Sequence, residues 1–134
     1  MPGQPTAEPA ILVVDDELAL RRLLKVVLEQ RGYRVFLAAT GDKALEVFRR
    51  HRGIIRLVLL DIHLPGRDGP ATLDALRALD PQVRCCFLSG DLGGYTEEAL
   101  RQRGALAVFP KPYDMPRLLR WIDQAGRPDA VPGD

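Results

Sequence analysis

Asp15-Asp16, Asp61, Ser89 and Lys111 are scattered along the chain, yet each closes a short apolar run, so a single sheet edge would gather all five. Three carboxylates brought together repel: one pair at about 4 Å costs roughly 4 kcal/mol at an effective dielectric of 20. A cation is therefore expected among them. Oxygen donors that leave positions for water suit Mg²⁺, which takes one or two protein carboxylates, or Mn²⁺ in its place. In that setting Asp61 is a nucleophile toward phosphorus, while Lys111 and the Ser89 hydroxyl meet the equatorial oxygens; positioning and electrostatics supply the rest.

The elements that must position these residues alternate between strand and helix. Ala10 to Val14 is almost wholly apolar, as a strand covered on both faces should be, and it stops at Asp15-Asp16. Leu20, Leu23, Leu24, Val27 and Leu28 then recur at helical spacing as core positions, ending at Gly32. Tyr33–Ala38, Leu57–Leu60 and Val83–Leu88 read as further strands, the last two leading to Asp61 and Ser89, and Ala105–Phe109 leads to Pro110-Lys111-Pro112. Helices are expected around Ala44–Phe48, Leu73–Leu79, Thr96–Arg103 and Asp114–Gln124. The order is α/β, and right-handed crossovers then give a parallel sheet with helices on both faces and ligands at the carboxyl ends of the strands.

Composition fits one domain of this kind. The chain has 134 residues, 46% hydrophobic and 28% charged, with 19 basic against 18 acidic residues, so no global field draws it to nucleic acid or an anionic membrane. The only cysteines, Cys85 and Cys86, are adjacent in an apolar run and read as buried thiols. No secretory signal and no apolar stretch of about 20 residues is present, which implies a cytoplasmic location. Residues 1–9 and 126–134 are rich in Pro, Gly and polar residues and read as disordered tails around a domain at 10–125, the second tail doubling as the start of a linker.

Val13-Val14-Asp15-Asp16-Glu17, Asp61-Ile62-His63-Leu64-Pro65-Gly66, Leu88-Ser89-Gly90 and Lys111-Pro112 resemble, in order and spacing, the signature of response-regulator receiver domains of two-component signalling. The resemblance covers about residues 10 to 125. It implies a flavodoxin-like, doubly wound sheet of order 2-1-3-4-5 and a phosphoryl group accepted on Asp61 from a histidine kinase or histidine phosphotransfer protein. It also implies metal binding by Asp16 and Asp61, with Asp15 acting largely through water and the His63 backbone carbonyl as a further ligand. A cis Lys111-Pro112 bond is expected from the same likeness. So is a signalling domain that catalyses only its own phosphorylation and dephosphorylation. Its output is a rearrangement of the fourth helix, fifth strand and fifth helix that binds an unidentified downstream protein or a second copy, with no direct contact to nucleic acid or membrane.

The sequence departs from the family where many members place Tyr or Phe three residues before the lysine: here that position is Val108, and Phe109 should point to the opposite face. His63 and Asp91 stand two residues beyond the phosphoacceptor and the hydroxyl residue and are expected to tune access of hydrolytic water; Gly90 is a further switch or tuning position. Plainer readings exist for each residue. An acidic pair can be a solvated helix start, Ser89 a helix cap, His63 a solvent-exposed ring, His51 a complement to a helix dipole, and Trp121 a core edge or an interface anchor. Arg101, Arg103, Arg117 and Arg120 read as a solvated face or a basic partner surface. Asp61-x-His63-x-x-Gly66 also spells the D-x-H-x-x-G box of cobalamin-binding domains, but that leaves Asp15, Asp16 and Lys111 without a role. A haloacid-dehalogenase-type phosphatase needs D-x-D, which Asp15-Asp16-Glu17 lacks.

Overall fold

The computed structural model describes residues 9–125. The expected tails lie outside these residues, except Pro9, whose carbonyl accepts from Arg34 N at 3.1 Å. Ten elements alternate: β1 (Ala10–Val14), α1 (Leu18–Gln30), β2 (Arg34–Ala38), α2 (Gly41–His51), β3 (Ile55–Asp61), α3 (Gly69–Leu79), β4 (Cys85–Ser89), α4 (Glu97–Gln102), β5 (Ala105–Pro110) and α5 (Met115–Ala125). The strands form one parallel sheet of order β2-β1-β3-β4-β5. Each crossover carries a helix, as parallel pairing requires.

Strand alternation sorts the core into two layers. Leu12, Val14, Val58, Leu60, Cys85 and Phe87 pack with α2, α3 and α4 residues such as Phe48, Leu73 and Leu100. Ile11, Val13, Leu57, Leu59, Cys86 and Leu88 pack with Leu24, Leu28, Leu118 and Ile122 of α1 and α5. The neighbouring cysteines thus fall on opposite faces as buried free thiols.

Some boundaries move. β3 begins at Ile55 rather than Leu57, because Ile55 pairs with Ala10 across an irregularity in the β1 register. β4 begins at Cys85 because Val83 is held in a turn, its N–H donating to Asp80 O at 3.0 Å. Leu23 is not a core residue: it is 47% exposed, at the margin of the stripe made by Leu20, Leu24, Val27 and Leu28. Ser89 caps no helix, since α4 starts eight residues on under the Thr96 hydroxyl, which accepts from Ala99 N at 2.9 Å.

Candidate functional site

The carboxyl ends of β1, β3 and β5 converge. Asp15 and Asp61 are 2% and 6% exposed, whereas Asp16 faces solvent, and one carboxylate oxygen from each lies within 4.8 Å of the others. Lys111 reaches back from the end of β5, its Nζ donating to Asp15 Oδ2 at 2.8 Å and Asp61 Oδ2 at 3.2 Å. The Lys111-Pro112 bond is cis, and Lys111 N donates to Ser89 O at 2.9 Å, which fixes the ends of β4 and β5 against each other.

Backbone groups hold the acids. Glu17 N donates to Asp15 Oδ1 at 2.8 Å, and His63 N donates to Asp61 Oδ1 at 3.2 Å. Gly69 opens α3 so close to the end of β3 that a Cβ there would lie 2.2 Å from Asp61 O, and its N–H donates to Ile62 O at 2.8 Å. The sequence marks Gly69 only as a turn residue; its closeness to Asp61 arises from packing.

Burial, reinforced by the charge of Asp15, raises Asp61 above the usual carboxylate range, with Lys111 opposing the rise. Burial alone would lower Lys111, but the hydrogen bonds and charges of Asp15 and Asp61 more than offset it, so the ammonium is held more firmly protonated. An all-oxygen donor set with two buried acids and one exposed one fits a small hard cation that keeps part of its water.

Ser89 is buried, and its hydroxyl donates to Asp91 O rather than to the acidic group. Gly90 is exposed with open space around it. The His63 ring does not simply face water: Nε2 lies 2.8 Å from Asp91 Oδ1 and 3.2 Å from Asp91 O. It covers Gly93, where a Cβ would come within 2.5 Å of the ring and where φ is +59°. Sequence spacing singles out both His63 and Asp91 but not their contact. Tyr95 adds a second tie between the same two loops, donating to Asp68 Oδ2 at 2.9 Å.

Val108 packs with the α2–α4 layer and Phe109 with the α1–α5 layer, on opposite faces as the alternation predicts. Phe109 meets Trp121 edge to face, ring centroids 5.7 Å apart. His51, at the end of α2, stacks on Phe36. Tyr113 escapes sequence reasoning: no spacing marks it, yet its hydroxyl is buried without a hydrogen-bond partner among the described residues. Burial, with Asp15, Asp61 and Glu17, pushes that phenol well above its usual range.

A parallel sheet of this order, carrying an acid cluster and lysine at its carboxyl edge, defines a class, and the chain belongs to it: residues 11–123 match the response regulator receiver domain family. Among curated relatives it is 37% identical over 107 residues to sporulation initiation phosphotransferase F of Bacillus subtilis, covering 78% of this chain and 83% of that one. It is 34% identical to the transcriptional regulatory protein ZraR of Escherichia coli, covering 86% of this chain but 26% of that protein. It is 38% identical to sensor kinase CckA of Brucella abortus, covering 85% of this chain and 12% of that one. Among solved structures, the CheX–CheY–BeF3–Mg²⁺ complex of Borrelia burgdorferi superimposes with a TM-score of 0.79 at 26% identity, covering 84% of each chain. A receiver domain protein of Methanospirillum hungatei gives 0.78 at 30% identity, covering 87% of this chain and 92% of the other. Receiver domains are signalling modules of two-component systems, and no helix among the described residues is long and apolar enough to cross a membrane.

Proposed function

We propose that residues 10–125, working in the cytoplasm, accept a phosphoryl group on Asp61 from a histidine kinase or histidine phosphotransfer protein and pass the signal on through a protein-binding surface. The observation that carries this reading is Lys111 Nζ bonded to both Asp15 and Asp61 where β1, β3 and β5 end. Asp61 Oδ attacks the phosphorus of a phosphoimidazole; the new O–P bond forms as the N–P bond breaks, and that electron pair returns to the ring. The product is an acyl phosphate.

Lys111 stands where charge gathers on the equatorial oxygens. The Ser89 hydroxyl joins it by leaving Asp91 O. Asp15, Asp16, Asp61 and the His63 carbonyl would hold Mg²⁺ or Mn²⁺, which when bound neutralises charge on the phosphoryl oxygens. His63 and Asp91, bridged over Gly93, limit the approach of hydrolytic water, and exposed Gly90 leaves the turn room to move. An apolar cleft of about 480 Å³ beside Lys111, lined by Leu20, Leu23, Pro112 and Met115, gives a protein donor a place to dock.

The output differs from that of members with an aromatic residue at position 108. Val108 lines a cavity of about 240 Å³ next to Ser89, and Phe109 is committed to Trp121, so the Ser89 loop itself carries the rearrangement. A phosphorylated structure with Phe109 swung into that cavity contradicts this part.

Incubation with Mg²⁺ and acetyl phosphate or phosphoramidate, followed by intact mass, should show one added phosphoryl group on the native chain and none on Asp61→Asn. Equal labelling of both overturns the reading.

A further inference from the structure

At the amino end of the sheet, Arg52 in the turn after α2, Arg56 of β3 and Arg84 just before β4 line a polar cleft of about 190 Å³ together with Asp80 and Gln82. Two of the three guanidiniums are anchored to carbonyls: Arg52 Nη1 donates to Leu79 O at 3.0 Å and Arg84 Nη1 to Ala125 O at 2.8 Å. Each keeps further N–H groups beyond that anchor. Arg56 is exposed and makes no hydrogen bond or ion pair among the described residues. Surface arginines elsewhere do find carboxylates, as in Arg67–Asp42 and Arg103–Asp74. The one acid in the cleft, Asp80, forms no ion pair among the described residues; its Oδ1 accepts from Gln82 N at 3.0 Å. The seven residues of β3 run from this cleft to Asp61, so the two places are about 20 Å apart.

We propose that this cleft binds inorganic phosphate, with its anionic oxygens on Arg52, Arg56 and Arg84 and its P–OH donating to Asp80 Oδ2. Guanidinium forks match phosphate oxygens two bonds at a time, and two of these forks are already held in place. The carboxylate selects among oxyanions. It repels one that is fully ionised and accepts a hydrogen bond from one that keeps a proton. Inorganic phosphate keeps at least one P–OH at neutral pH, whereas sulfate has none and a phosphate monoester, with its second pKa near about 6, has mostly lost its own. The volume points the same way, lying below the roughly 300–1,000 Å³ of pockets that enclose drug-sized ligands. Nucleic acid fits less well: a phosphodiester carries no P–OH, and its affinity accumulates over many phosphate contacts where this cleft admits one. A bound phosphate would bridge the α2–β3 turn to the α3–β4 turn. The inference rests on the cleft and not on phosphorylation of Asp61.

Amide NMR on the whole chain, at neutral pH with a chelator and no phosphodonor, both detects and locates the anion. The probes are sodium phosphate, sodium sulfate, glycerol phosphate and single-stranded oligothymidylate at constant ionic strength. Phosphate should shift the amides of Arg52, Arg56, Gln82 and Arg84 saturably and leave those of Asp61 and Lys111 in place. Sulfate and glycerol phosphate should bind about tenfold more weakly. Arg52→Ala/Arg56→Ala, which changes only exposed side chains, should weaken phosphate by about tenfold or more, the effect of losing charge-assisted hydrogen bonds. Asp80→Asn keeps an acceptor for Gln82 N but removes the charge, and should bring sulfate level with phosphate. Circular dichroism checks that the variants fold. Shifts that grow linearly without saturating, equal binding of sulfate by the native chain, unchanged selectivity in Asp80→Asn, tighter binding of oligothymidylate, or shifts confined to Asp61 and Lys111 would each overturn the proposal. A failure of Asp61 to gain mass would leave the cleft result standing.

Discussion

His63 Nε2 stands 2.8 Å from Asp91 Oδ1, joining the loop that follows Asp61 to the loop that follows Ser89. The contact ties together two loops that flank the acid cluster, so under the proposed phosphorylation of Asp61 it is placed to resist or report a change in their separation.

This bridge should be visible in a pH titration followed by NMR. The hydrogen bond that the His63 ring donates to the Asp91 carboxylate raises His63, and the same bond lowers Asp91. A raised histidine contributes stability fully present below its unfolded value and lost as pH rises through the folded one. A lowered carboxylate contributes stability that is lost as pH falls through its folded value. The bridge is therefore strongest in mildly acidic solution, and because both groups are exposed its effect on global stability is small. Asp91→Asn should lower the His63 titration midpoint. In the phosphorylated protein, His63→Ala should shorten the acyl-phosphate lifetime by a factor of a few; unchanged hydrolysis there would remove the proposed role in screening water.

Magnesium should raise the thermal midpoint of the native chain, because a ligand bound only by the folded state adds about 2.7 kcal/mol at a hundred times its Kd. Asp16 is exposed, so Asp16→Ala should change stability by less than about 0.5 kcal/mol without metal. The same substitution should remove most of the magnesium-dependent shift in calorimetry. A full shift in Asp16→Ala would take Asp16 out of the metal site.

Lys111→Ala leaves Asp15 and Asp61 facing each other in a buried setting. Urea unfolding at neutral pH should show a loss of about 3 kcal/mol, the lower end for unpairing a buried charge. Asp61 is raised already, and a carboxyl raised on folding loses stability as pH climbs from its unfolded to its folded value. The deficit of Lys111→Ala should accordingly shrink toward acid, where the raised Asp61 carboxyl takes up its proton, and also in magnesium. A deficit independent of pH would point to lost packing instead.

Gly69→Ala places a methyl against backbone, 2.2 Å from Asp61 O and 2.8 Å from Ile62 Cα, and neither atom can yield without moving β3 or α3. Overpacking of this kind costs about 1–3 kcal/mol. The urea midpoint should fall, and phosphorylation by acetyl phosphate should slow because Asp61 is displaced. A stable variant with native rates would show that the α3 start can relax.

Much of this was legible in the residues. The apolar runs Leu57–Leu60 and Val83–Leu88 and the helical stripe of Leu24 and Leu28 marked strands and a helix, and the ends of the apolar runs singled out Asp15, Asp61, Ser89 and Lys111. Those signals are local, fixed by backbone geometry over a few residues, and so they survive without knowledge of the fold. Even the separation of Val108 from Phe109 follows from alternation alone. Tertiary structure alone decided that His63 meets Asp91, that Tyr95 meets Asp68, that Leu23 stays half in solvent, and that Arg103 finds Asp74 while Arg117 and Arg120 form no ion pair among the described residues. Such contacts depend on where elements about 25 to 30 residues apart come to rest and on which rotamers that spacing permits, and no short-range periodicity encodes either.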